Sequence, residues 1–556
     1  MNGPQTGAQQ STDDAPSRRG VFVGPRRLMS CRHRLHLDTT FPQLVAGATE
    51  DSGVKQRRDA AMAQRSSVRD LIGAVVGGRS ISREGSWSTR SAATMQAFAD
   101  GESHIWDAVL PSESDTGREG VAELLIRDHE RGGYIPVIVV NHKVTDPRSD
   151  PTILEGAAIT SDLYVWAPAT DPLRKVRSQP RDQMRLAHIY RMLQRHGLAS
   201  PALLGGAIGY GADCILVHDL GPLLDEYDRR YADRITVARG EIETEPSQVP
   251  ECRSCPWWPR CQSWLAERHD VSLVAIGSRA EVLREEGVRT IDDLARWNGP
   301  APEKWQHGPF EDTVLTARAW LAGASLVRRV EHVTVPRADI EVDVDLESFQ
   351  EHGAYLWGAL LNDVAAETSK YHPFVTWEPL PTHDEARSFA EFWTWLMRIR
   401  ADAVKQGKTF AAYCYSRAAE DKWLLDSARR FAGAPGVPTV EQIRAFINSP
   451  EWVDIYQVVS DQFVCPNGKG LKKIAPVAGF GWRDAEAGGE ASMAWYREAV
   501  GYEGEPDTTQ RTRILAYNED DVLATKALRE WMSGPADTAV PFVDDLSAPY
   551  LSSNPA

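Results

Sequence analysis

The chain has 556 residues, 42% hydrophobic and 25% charged, with 78 acidic against 62 basic side chains and a formal net charge of −16. Those figures describe a soluble globular protein of two to four domains with no apolar run long enough for a membrane span. They also exclude a passive nucleic-acid coat, whose affinity depends on surplus Lys and Arg.

The charge is uneven: residues 1–265 carry 33 acidic and 32 basic side chains, residues 266–556 carry 45 and 30. That bias is compatible with an enzyme that holds metal ions through carboxylates and meets nucleic acid through local basic patches. The first twenty residues are polar, with no signal-peptide core, so a cytoplasmic location with reduced cysteines is expected.

Residues 1–20 read as a disordered tail, and order is expected from Val21 toward Cys31. Residues 55–77 have helical spacing and carry Arg57, Arg58, Arg65 and Arg69, either a phosphate contact or a solvated face. Three strands are expected next, at 104–110, 121–127 and 134–144, the last two joined by the polar, Gly-rich turn 128–133. Alternation puts Asn141 and Lys143 on one face of the third strand, and Glu123 on its neighbour can point the same way. An acid, an amide oxygen and a lysine so placed suit a metal-dependent phosphodiesterase. A helix beginning near Pro180 carries Gln183 and Tyr190; a strand at 214–218 and an acidic helix near 222–232 follow.

Residues 251–261 (E-C-R-S-C-P-W-W-P-R-C) then bring Cys252, Cys255 and Cys261 together as C-x2-C-x5-C. A fourth ligand is needed. Cys214, Cys414 and Cys465 lie in apolar or strand-like surroundings, whereas Cys31 lies in the basic run S-C-R-H-R. The four thiols are expected to hold one iron–sulfur cluster, 4Fe-4S, that closes residues 31–261; a four-cysteine zinc site is the alternative.

These residues resemble the RecB-type nucleases of the PD-(D/E)xK superfamily, in the subgroup whose cluster is held by one early and three late cysteines. The resemblance covers residues 21–265 and implies a restriction-endonuclease-like fold, catalytic Glu123, Asn141 and Lys143, and nucleic-acid contacts from Gln183 and Tyr190. Asn141 stands where the family has an ionisable acid; it offers an oxygen without charge, which lowers divalent affinity.

Residues 271–300 read as two short helices joined at Gly287, similar to a helix–hairpin–helix element, within a helical spacer over 266–330. The strand E-V-D-V-D-L-E at 341–347 alternates strictly, with Val342, Val344 and Leu346 on a core face and Glu341, Asp343, Asp345 and Glu347 on the other. A solvated sheet edge is one account of those four acids. Residues 513–525 read as a helix with Tyr517 and Asp521 four apart on one face.

A strand D-x-E with a helical Y-x3-D resembles the ligand set of the ribonuclease-H-like DEDD exonucleases, over residues 335–535. That resemblance implies a mixed sheet with flanking helices. It also implies Mg²⁺ or Mn²⁺ on Asp345, Glu347 and Asp521, Glu420 as a further acid, and Tyr517 positioning the attacking water. Asp454 lies in a following strand, and Lys472 and Lys473 are candidate phosphate contacts. The joint arrangement, an α/β chain with a mobile tail at 536–556, is similar to a family of bacterial RecB-like nucleases. The expected function is metal-dependent hydrolysis of DNA, or of RNA, in repair, recombination or nucleic-acid processing, with a helicase or repair protein as conceivable partner. The rival is a non-catalytic nucleic-acid-binding scaffold with degenerate nuclease folds.

Overall fold

Trp264 and Leu265 mark the division between two units in the computed structural model, which describes residues 20–46, 52–148, 150, 152–177, 179–486, 488–502 and 504–551. The expected tail at 1–20 lies outside the described residues except for Gly20. Among the described residues no helix is long and apolar enough to cross a membrane.

The first unit is built on a nine-stranded sheet. Its strands are β1 (Arg79–Ser80), β2 (His104–Val109), β3 (Val121–Arg127), β4 (Tyr134–Val139), β5 (Thr145–Pro147), β6 (Ala157–Ser161), β7 (Ala169–Val176), β8 (Leu204–Ile208) and β9 (Ile215–Asp219), in the order β1-β2-β3-β4-β8-β9-β6-β7-β5. The apolar runs β2, β3 and β4 pair antiparallel, and β4 pairs parallel with β8. A parallel pair needs a crossover, and helix Pro180–Arg195 lies within it. Proline in its first turn costs no helical hydrogen bond, and Met184, Leu186, Ala187, Ile189, Met192 and Leu193 bury one face.

β4 is shorter than the apolar run suggests. It ends at Val139, so Asn141 and Lys143 lie beyond it and do not share a strand face. The His142 carbonyl accepts from Tyr210 N at 3.0 Å and its ring meets Asp182 Oδ2 at 2.8 Å, turning the chain away from the ladder. The hairpin β6–β7 lacks a sequence signature because β7 is largely exposed and neither strand alternates strictly between apolar and polar residues.

The second unit opens with short helices at Ser278–Glu285 and Ile291–Ala295, separated by Gly287 at φ +82, followed by helix Phe310–Leu321. Their apolar faces form one small core, so residues 266–330 belong to this unit. Two short strands, β10 (Val327–Arg328) and β16 (Phe463–Val464), pair with each other. The main sheet holds β11 (Ile340–Phe349), β12 (Gly353–Asp363), β13 (Thr368–Val375), β14 (Phe410–Cys414) and β15 (Trp452–Asp454), in the order β13-β12-β11-β14-β15. β11 is antiparallel to β12 and parallel to β14, so it is central and not a solvated edge.

Both faces of β11 are covered. Val342 and Val344 pack with Phe389, Phe392, Trp393 and Leu396 of helix Asp384–Lys405. Its acidic face lies under helix Thr508–Met532. The segment after 535, expected as a mobile tail, is helical over Ala536–Ala539 and Val543–Leu551; residues 552–556 lie outside the described residues. Arg318 Nη1 donates to Ser547 Oγ at 3.0 Å, which ties the last helix to Phe310–Leu321.

Candidate metal centre

The four acids of β11 divide into two pairs with different fates. Glu341 and Asp343 are buried against Arg529, a side chain with no solvent exposure. Arg529 Nη2 donates to Asp343 Oδ2 at 2.7 Å, its Nη1 donates to Glu341, and its guanidinium stacks 4.2 Å from the Tyr413 ring centroid. Arg337 adds a second bond to Glu341 at 2.7 Å. This pair is neutralised and structural.

Asp345 and Glu347 lie further along the same face, and among the described residues the salt bridges of the strand stop at Asp343. Asp521, from helix Thr508–Met532, completes a triad in which one ligand oxygen from each residue lies within 4.8 Å of the other two. Burial raises the pKa of Asp345, and the charges of Asp521, Glu347 and Glu420 raise it further. Burial likewise lifts Glu347 to about 8, with Asp521 adding to it, and raises Asp521. Three acids this close resist ionising together unless a cation sits among them.

Each acid is held by a neutral donor. Asn518 Nδ2 donates to Asp345 Oδ2 at 2.7 Å, and Tyr371 Oη donates to Asn518 Oδ1 at 2.7 Å. Ser492 Oγ donates to Glu347 Oε2 at 2.6 Å. Trp482 Nε1 donates to Asp521 Oδ1 at 2.6 Å, and Tyr517 lies one helical turn before Asp521 on the same helix. Neutral donors orient carboxylates while leaving their charge available, as partners behind metal ligands commonly do. Asn518 reaches Asp345 only because β12 has glycine opposite it: a Cβ on Gly358 would stand 1.6 Å from Asn518 Oδ1.

Lys472 Nζ sits 4.6 Å from the Tyr517 ring centroid and 5.5 Å from that of Trp482. Burial lowers its pKa, while the charges of Asp521, Glu347 and Asp345 pull the other way. Lys473 is exposed on the same short helix, Leu471–Ile474. Glu420 is buried in the first turn of helix Arg417–Arg430, outside the triad; burial and the charges of Asp454, Asp421 and Glu347 lift it to about 8. Its Oε2 has no hydrogen-bond partner. Asp454 accepts from Ser416 N at 3.1 Å and Arg417 N at 3.3 Å, which makes it a capping residue.

Residues 401–533 match the RNase H superfamily family model. The match begins after β11, so Asp345 and Glu347 lie outside it, while Glu420, Lys472, Tyr517 and Asp521 lie within. The second unit thus carries an RNase H-like domain, whose superfamily points to nuclease-type processing of nucleic acid. No curated protein and no solved structure matches the chain.

The first unit gathers its four predicted thiols. Cys31, Cys252, Cys255 and Cys261 line one small cavity, with His33, Arg34 and Trp257. Cys255 N bonds Cys252 O at 3.2 Å and Cys261 N bonds Trp257 O at 3.0 Å, so tight turns aim the late thiols inward. Trp257 Nε1 donates to Asp38 at 2.8 Å, fastening helix Arg32–Thr40, which starts beside Cys31. Burial, then the charges of Cys255, Cys31 and Cys252, push the Cys261 thiol up to about 11. Among the described residues only the Asp345 triad brings three ligand atoms within 4.8 Å of one another. Four thiolates suit either a 4Fe-4S cluster or a single tetrahedral zinc.

The other expected residues of this unit are not assembled into a metal site. Glu123 Oε1 accepts from Arg185 Nη2 at 2.7 Å and lies 3.4 Å from Arg65 Nε. A carboxylate shared by two guanidiniums already has its cations. Tyr190 is 3% exposed and donates to Ser200 O at 2.8 Å, a core residue with no surface for nucleic acid. Gln183 is half-buried on the same helix, and Lys143 is exposed.

Proposed function

We propose that the second unit is a metal-dependent nuclease that hydrolyses phosphodiester bonds at the Asp345–Glu347–Asp521 triad, on DNA in preference to RNA. The observation that carries this reading is the contrast within β11: Glu341 and Asp343 have Arg529, whereas Asp345 and Glu347 meet a third carboxylate. Three carboxylates with oxygens this close fit a Mg²⁺ or Mn²⁺ site, and divalent ions there would supply charge neutralisation of the phosphate and activation of water. Asn518, Ser492 and Trp482 hold the three acids in place. Lys472 supplies positive charge at the mouth of the site, toward a phosphate oxygen. Tyr517 keeps its proton, because burial and the charges of Glu347 and Asp521 oppose ionisation, and stands one helical turn from Asp521 to position the attacking water. Glu420 is the candidate fourth acid.

The four thiols of the first unit are proposed to hold a 4Fe-4S cluster in a RecB-like module. The support is the convergence of one early and three late cysteines on one cavity; a four-cysteine zinc site is the alternative. Its role here is to join Cys31 to the 252–261 segment, a closure that stabilises the fold.

The test is cleavage of end-labelled single- and double-stranded DNA by the full chain in Mg²⁺ or Mn²⁺. Stepwise shortening is expected, reduced on the order of 100-fold in Asp345→Asn and retained in Glu123→Gln. No cleavage with either metal would favour the scaffold reading.

A further inference from the structure

The arginines around Glu123 have a second use. Helix Ser52–Val76 places Arg65 and Arg69 one turn apart over β2 and β3. Arg65 and Arg185 share Glu123; Arg69 Nη1 and Arg83 Nη2 bind Asp107 at 3.3 and 3.0 Å. The pairing Trp106–Leu124 and Ala108–Ala122 sets Asp107 across from Glu123. Asp107 sits at φ +52, a left-handed conformation unusual for a non-glycine residue and often associated with functional sites.

The positive charge is in excess. Arg26 and Arg83 lie within electrostatic reach of Arg65, as does Arg185. Among the described residues five guanidiniums therefore gather around the carboxylates of Glu123, Asp107 and Asp182, whose side chains are 12%, 12% and 6% exposed; Asp70 beside Arg69 is 71% exposed. Hydrogen bonding is also incomplete: Arg65 Nε and Glu123 Oε2 are buried without a hydrogen-bond partner. A buried guanidinium donor beside an excess of like charge calls for an acceptor carrying negative charge. Arg83 and Arg69 keep 43% and 29% of their side chains exposed, so the array opens to solvent along the helix and does not enclose a single small ion.

We propose that Arg65 and Arg185, backed by Arg26, Arg69 and Arg83, form a phosphate-binding site of the first unit that grips a nucleic-acid backbone, with Glu123 serving as internal counter-charge and not as metal ligand. Arginine suits this role because its planar fork matches phosphate oxygens. The shared chemistry is a phosphate oxyanion, which a free nucleotide also carries, and the proposal stands independently of cleavage in the second unit.

The experiment measures binding of a fluorescein-labelled single-stranded 20-mer to the full chain in EDTA, over a range of salt. Arg65→Gln with Arg185→Gln is expected to weaken binding about tenfold and to reduce the slope of log K against log salt by about 1–2. Glu123→Gln, which frees both guanidiniums, is expected to tighten binding severalfold. It also guards against misfolding of the double variant, because a gain in affinity requires a folded site. Unchanged affinity and slope in the double variant would overturn the proposal, as would weaker or unchanged binding in Glu123→Gln. Full displacement of the 20-mer by millimolar ATP or inorganic phosphate would also overturn it, by reassigning the site to a free phosphate compound.

Discussion

Gly358→Ala is the perturbation that probes the centre most sharply. Gly358 faces Asp345 across the β11–β12 ladder, and a methyl group there would meet Asn518 Oδ1 at 1.6 Å and Cγ at 2.7 Å. Asn518 must then leave, and two hydrogen bonds go with it: Nδ2 to Asp345 at 2.7 Å, and Tyr371 Oη to Oδ1 at 2.7 Å. The bond to the carboxylate contributes about 1.5–3 kcal/mol and the neutral bond about 1 kcal/mol, so the expected loss is about 3 kcal/mol. In thermal unfolding of the second unit's transition this corresponds to a fall on the order of 6–10 °C. The assay is a double-mutant cycle with Asn518→Ala, which removes the amide that the methyl group strikes. On that background Gly358→Ala is expected to cost less than about 1 kcal/mol. Equal costs in both backgrounds, or no cost in either, would refute the link between this glycine and Asp345.

Three further outcomes are expected. Arg529→Met leaves Glu341 and Asp343 buried without their main counter-charge and should destabilise the second unit by about 3–5 kcal/mol in urea; a loss under about 1 kcal/mol would show that the pair does not need it. His188 is fully buried and burial lowers its pKa to about 3; it faces Glu119 O and the Tyr227 hydroxyl, each at 3.0 Å. The unfolded chain takes up this proton below pH 6.5 and the folded chain does not, so stability should fall with pH by about 1.4 kcal/mol per unit below 6.5. His188→Gln should flatten that slope in acid unfolding, and an identical slope would contradict the assignment. The purified protein should contain iron and acid-labile sulfide, both lost in Cys31→Ser; a colourless protein with one zinc per chain would overturn the cluster.

The site was partly legible in the sequence because it rests on local periodicities. Strict alternation from Glu341 to Glu347 and the four-residue step from Tyr517 to Asp521 put acids on defined faces, and folding had only to join them. The alternation could not separate the neutralised pair from the open pair, since the deciding residue, Arg529, lies far along the chain on a helix. Ser492, Asn518, Trp482 and Tyr371 also escaped notice, because a neutral donor behind a carboxylate has no spacing rule. Asn518 carried a faint signal, lying next to Tyr517 inside the helix that bears Asp521. In the first unit the C-x2-C-x5-C spacing marked the cavity. The apolar run 134–144 misled because a strand ends where its ladder partners end, and β4 loses them at Val139 while hydrophobicity continues to Val140. Tyr190 fits a motif by residue type, yet its place on the apolar face of helix Pro180–Arg195 commits it to the core.

The most direct measurement is the affinity of the full chain for Mn²⁺, followed by the electron-paramagnetic-resonance signal of free Mn²⁺ during titration. Binding should weaken at least about tenfold in Asp345→Asn and in Glu347→Gln and stay unchanged in Glu123→Gln. Wild-type affinity in both triad variants, or loss in Glu123→Gln alone, would contradict the placement of the metal centre between β11 and helix Thr508–Met532.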